Sequence, residues 1–156
     1  MISHVKPGGY AEFQEILVFP ESDDGTLPED ATLRQYYRYL DAACTRIGID
    51  MHVPSHLVSY FRDAGFEDVQ EKVFKIPLGT WPKNPLLKSV GLFQRTNFLD
   101  GLQGISLKPY TMVLGWSMEE LEVWLTEVRK AIKDPKTHSY YYMFFVYGRK
   151  PEVRRG

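Results

Sequence analysis

The run Lys6-Pro7-Gly8-Gly9 followed by Tyr10-Ala11-Glu12-Phe13-Gln14-Glu15-Ile16-Leu17 constrains the fold more than any other stretch. Pro7 presets φ, and Gly8 or Gly9 supplies the positive φ of a type II turn. A strand over 10–17 follows. It alternates imperfectly, with Ala11, Phe13 and Leu17 on one side and Tyr10, Glu12, Gln14 and Ile16 on the other. Its polar residues face either solvent or a polar cleft.

Downstream, "FPESDDG" over 19–25 reads as a solvated acidic turn. Thr26 and Glu29 form a capping-box pattern with Pro28 in the first turn of a helix. Leu33, Tyr36, Tyr37, Leu40, Ala43, Cys44 and Ile47 recur at helical spacing, and Gly48 stops that helix. Tyr36, Tyr37 and Tyr39 read as core and boundary packing. Pro54 and Ser55 open a shorter helix with Leu57, Tyr60, Phe61 and Ala64 buried; Gly65 ends it, and Phe66 folds back on its last turn. A strand over 69–76 carries Glu71, Lys72 and Lys75, the charges of an edge strand. Asn84 caps a helix starting at Pro85, and 86–113 reads as two helices broken near 100–104, with Pro109 bending the second. Ser117 and Glu120 form a capping box behind Trp116, and Leu121, Trp124, Leu125, Val128 and Ile132 form the buried stripe of the clearest helix. The final "SYYYMFFVYGRK" is a strand covered on both faces.

A chain of 156 residues with 44% hydrophobic and 14% aromatic content fits one domain, 1–156, with a real core. Its net charge is −1, and apart from the tail Arg149, Lys150, Arg154, Arg155 there is no long charge run, which argues against a nucleic-acid partner. One cysteine, Cys44, rules out an internal disulfide framework and suits a reducing compartment. No apolar run spans a bilayer and no signal sequence follows Met1, so the expectation is a soluble cytoplasmic protein without a membrane role. No spacing of His, Cys and carboxylates makes a metal site.

"HVKPGGYAEFQEI", "LPEDATLRQYY", "AGFEDVQEKVFKIPLGTWPKNP", "VLGWSMEELEVWLTEVRKAI" and "YYMFFVYGRKP" resemble the C-terminal half of class I S-adenosylmethionine-dependent methyltransferases, and among them the LaeA-like proteins of filamentous fungi. The resemblance implies an α/β fold: a small mixed sheet ordered first-third-second with the last strand antiparallel, helices around it, and 84–113 as a helical insertion forming a lid. It also implies that the glycine-rich loop and acidic residue that hold the methyl donor belong upstream of the turn at residue 6, so no cofactor residue is carried over. The edge of strand 10–17 would then lack its usual neighbour, and a homodimer or higher oligomer joined there is expected.

In such a fold the chemistry lies at the carboxyl ends of the parallel strands. Glu15 and His138 are the candidate acid–base pair, with Tyr140 or Arg95 as an oxyanion donor. Gln14, Trp81, Phe93, Arg95, Asn97 and Tyr110 are the candidate substrate-binding residues. The expected function is a cofactor-independent cyclase or isomerase acting on an apolar intermediate of fungal specialised metabolism. The alternatives are a binding or regulatory partner of a methyltransferase, and an inactive methyltransferase fragment.

Overall fold

The computed structural model describes residues 2–152; Arg154 and Arg155 of the basic tail lie outside the described residues. Three strands form one sheet in the order β1 (Tyr10–Glu21), β3 (Tyr140–Arg149), β2 (Glu67–Pro77). The middle strand is the last in sequence and runs antiparallel to both neighbours. The order first-third-second that the resemblance implies is therefore observed, and β2 is an edge strand as its charges require. The chain divides into two compact units.

The first unit holds residues 2–17, 52–74 and 142–152. Its opening turn forms as Pro7 and Gly8 dictate: Gly9 N–H donates to the Lys6 carbonyl at 2.9 Å, and Gly8 sits at φ +72°. Helix α2 (Leu57–Asp63) ends in a Schellman motif. Gly65 N–H reaches the Arg62 carbonyl, Phe66 N–H reaches the Phe61 carbonyl, and the Phe61 and Phe66 rings lie 5.0 Å apart. Leu57, Phe61, Phe66 and Val146 form the core, with Phe13 and Val69 packed on it. Tyr60, expected inside, is exposed, because the buried stripe of so short a helix holds only Leu57 and Phe61.

The second unit holds residues 18–51 and 75–141. Helix α1 (Thr32–Arg46) starts later than the Thr26–Glu29 pattern predicts, with Ala31 at its N-cap. Thr26 is engaged elsewhere: its hydroxyl donates to Asp24 Oδ1. A Schellman motif closes α1 at Gly48, leaving Ile47 outside the stripe and exposed.

Helix α3 (Pro85–Lys108) is continuous where a break near 100–104 was expected. Gly101 and Gly104 each cost about 1 kcal/mol of helix propensity. Burial of Phe98 and Leu102 returns roughly 1.5–3 kcal/mol per side chain, so the helix runs through. It gives way at Pro109, which has no N–H to donate. A π-helical turn, Pro109–Val113, takes over, with Leu114 N–H donating to the Pro109 carbonyl at 3.1 Å.

Helix α4 (Met118–Lys133) carries the full Ser117–Glu120 capping box and buries Leu121, Leu125, Val128 and Ile132. Tyr36, Tyr37, Phe98 and Tyr110 interlock by edge and stacked contacts at 5.0–5.9 Å. Their hydroxyls are paired as burial demands: Tyr37 with Tyr141 at 2.9 Å, Tyr36 with Ser106 at 3.0 Å, and Tyr110 with the Tyr36 carbonyl at 2.8 Å. Burial pushes the Tyr36 phenol up to about 12.

Candidate functional site

The site builds from the acidic loop that follows β1. Ser22, Asp23, Asp24 and Thr26 fold into a tight turn around one carboxylate. Asp24 Oδ1 accepts from the Ser22 hydroxyl at 2.8 Å, the Thr26 hydroxyl at 2.8 Å and the Thr26 N–H at 3.2 Å. Its other oxygen faces His138 Nδ1 at 2.6 Å. The Thr26 hydroxyl and the His138 ring are the largest causes holding the Asp24 carboxyl well below its usual range. Thr26 Oγ1 also accepts the His138 N–H at 2.8 Å, so the same loop fixes both the backbone and the ring of His138.

This geometry sets the tautomer. An ionised Asp24 accepts a hydrogen bond from Nδ1–H, which leaves the Nε2 lone pair of the neutral imidazole available. Nε2 makes no hydrogen bond among the described residues, and the side chain is 38% exposed. The imidazole stacks on Trp81, with ring centroids 5.2 Å apart and planes 26° apart. Trp81 is itself held by its indole N–H, which donates to the Ser139 carbonyl at 3.0 Å. An oriented imidazole with one free nitrogen is equipped to take up a proton and return it.

Asp23 serves the neighbouring residues. Its Oδ1 accepts the Tyr140 hydroxyl at 2.7 Å, and its Oδ2 meets Lys75 Nζ at 2.5 Å. The ammonium also lies 4.4 Å from the centre of the Tyr140 ring. Lys75, at the carboxyl end of β2, is the largest cause of the lowered Asp23 carboxyl, and Asp23 in turn raises the Lys75 ammonium. Both carboxylates of the loop thus have side-chain partners.

Of the residues nominated from sequence, His138, Tyr140, Trp81 and Arg95 lie in the second unit. His138 and Tyr140 meet at the acidic loop, and Trp81 lines a small cleft with Arg95. His138 takes Asp24 as its carboxylate. Glu15 and Gln14 are exposed on β1 in the first unit, where Gln14 Nε2 donates to Glu12. Phe93 and Asn97 are exposed on α3. Tyr110 is fully buried with its hydroxyl committed to the Tyr36 carbonyl, a core position with no face for a ligand. Asp23, Asp24, Thr26 and Lys75 escaped nomination. The acidic loop, read as a solvated turn, sits at the carboxyl end of β1, and that position is the signal that marks it.

The residues present do not fit the methyl donor that the fold family implies. That group needs a glycine-rich strand-to-helix turn with exposed N–H groups and a free carboxylate. The turn after β1 contains one glycine, Gly25, too few for such a turn, and its Asp23 and Asp24 are paired. After β2, the Asn84 side chain already takes the Leu86 and Leu87 N–H groups. The cleft beside Trp81 measures about 10 Å³, roughly the space of one water. Among the described residues no group of three or more His, Cys, Asp or Glu is placed to hold a metal ion. Among the described residues no helix is long and apolar enough to cross a membrane.

No family model matches the sequence. The chain is 36% identical over 149 residues to "Methyltransferase pytC" of Aspergillus terreus, a match covering 96% of this chain and 46% of that protein. It is 32% identical to "Probable methyltransferase tdiE" of Emericella nidulans, over 96% of this chain and 47% of that one. It is also 32% identical to "Secondary metabolism regulator LAE1" of Cochliobolus heterostrophus, over 96% and 50%. The chain spans about half the length of these relatives.

Proposed function

We propose, from the premise that this chain is a methyltransferase-like segment related to fungal secondary-metabolism methyltransferases and LaeA-type regulators, that it performs proton transfer on an apolar biosynthetic intermediate. The observation that carries the reading is the Asp24–His138 pair held against Trp81. Asp24 keeps the proton on Nδ1, and Nε2 removes an acidic hydrogen from a bound carbon or hydroxyl. A base of this kind drives isomerisation or cyclisation through the residues described here alone. The cleft is too small to enclose an organic molecule, so the substrate lies across the rim formed by His138 and Trp81.

The test compares the unaltered chain with His138→Gln and Asp24→Asn in extracts of a pathway-blocked fungal host in deuterated solvent. A new product carrying solvent deuterium should form, and each variant should slow it at least about 100-fold, the scale of a lost general base. Product formation unchanged in both variants refutes the assignment.

A second reading has one observation in its favour, the similarity over 149 residues to proteins named methyltransferases. On it, the same base serves a methylation whose donor is held by a separate polypeptide segment docked along the open edge of β1. A homodimer through that edge is the third arrangement. Tight binding of S-adenosylmethionine by this chain alone would contradict the first reading, and light scattering decides the last.

A further inference from the structure

We infer that the substrate carries a carboxylate, which docks against Arg95 at the cleft beside Trp81. This rests on the reading of His138 as the base of the same site and names the class of molecule it acts on. Arg95, on α3, lines the cleft with Thr80, Trp81 and Thr137. Its side chain is half-buried and makes no hydrogen bond or ion pair among the described residues. A guanidinium offers five donors in a planar fork that matches a carboxylate, and a half-buried one left unmatched is costly.

The other charges around it are spent or outside. Asp23 is paired with Lys75, and Asp24 with His138. Asp134 also lines the cleft, but it is solvent-exposed, and one of its oxygens already accepts the Lys136 N–H. Among the described residues no carboxylate comes within ion-pair reach of Arg95.

The size of the cleft is consistent with this role. About 10 Å³ admits a group the size of one water, which a single carboxylate oxygen satisfies and an apolar ring does not. Trp81 both lines this cleft and stacks on the base. Trp81 is thus common to the cleft lined by Arg95 and to the stack on His138. An acid anchored at Arg95 lays its apolar body on the indole and brings its reacting hydrogen toward His138 Nε2. The ligand class is an apolar or aromatic carboxylic acid.

The probe is 2-naphthoate, with neutral 2-naphthol as its comparison, titrated by calorimetry against the full chain. The naphthoate should bind at least tenfold more tightly than the naphthol. Arg95→Gln should abolish that difference while leaving naphthol affinity unchanged, and Arg95→Lys should restore only part of it. His138→Gln should leave naphthoate affinity within twofold, so a failed proton-transfer reading and a failed anchor give different results. Equal affinity for the two probes in the unaltered chain, no binding of either, or naphthoate binding indifferent to Arg95→Gln would overturn the inference. Circular dichroism of each variant separates loss of the site from loss of the fold.

Discussion

Gly91 offers the sharpest test of how the site loop is held. A Cβ built there would lie 1.9 Å from the Gly79 carbonyl oxygen and 3.1 Å from Pro77 Cβ. A comfortable carbon–oxygen contact needs about 3.3 Å or more, so Gly91→Ala forces α3 and the loop beginning at Leu78 apart by more than an ångström. That separation breaks the bond from Gly79 N–H to the Gly91 carbonyl, now 3.0 Å, and both glycines are buried. Leaving the amide unpaired costs about 1–3 kcal/mol, and overpacking adds about 1–3. Alanine's better helix propensity returns about 1, so the net loss is roughly 1–5 kcal/mol. Gly104, on the same helix, has nothing within 4 Å of its would-be Cβ, and Gly104→Ala should stabilise by about 0.5–1 kcal/mol. Urea unfolding with an unchanged slope reads both. Two identical substitutions on one helix should move the midpoint in opposite directions. A Gly91→Ala midpoint at or above that of Gly104→Ala refutes the close crossing. The Leu78–Trp81 loop carries Trp81, so Gly91→Ala should also weaken naphthoate binding.

Three further outcomes are expected. In the first unit, Gly148→Ala places a Cβ 2.9 Å from Phe61 Cδ1 and 3.0 Å from Phe66 Cβ, and should lower stability by about 1–3 kcal/mol in the same assay. Tyr141→Phe leaves the buried Tyr37 hydroxyl without its partner at 2.9 Å and should cost about 1–3 kcal/mol, whereas Tyr37→Phe with Tyr141→Phe should recover much of that loss. Asp24 is held below its ordinary 3.8. Its contribution to stability is therefore full above that value and is lost as pH falls toward the folded value. Asp24→Asn should flatten the acid side of the stability–pH profile below about pH 4 while leaving pH 5–7 parallel to the unaltered chain.

Sequence alone determined the parts that local chemistry decides. The Lys6–Gly9 turn, the Schellman ends at Gly48 and Gly65 and the Ser117–Glu120 box each need only a residue type at a fixed offset. The strand order came from the family resemblance, and the burial pattern agreed with it: the apolar run 140–147 suits a central strand, and the charged one over 69–76 suits an edge. Tertiary structure decided what depends on partners distant in the chain. The 86–108 helix continued through two glycines because Phe98 and Leu102 had a core to enter. Thr26 left its capping pattern because residues 112 positions away needed its hydroxyl. Asp23 and Asp24 read as solvated in isolation, since a carboxylate shows its role only when Lys75, Tyr140 and His138 are folded against it. Local spacing encodes turns and caps; the pairing of charges is long-range, and only the folded chain brings those charges within a hydrogen bond of one another.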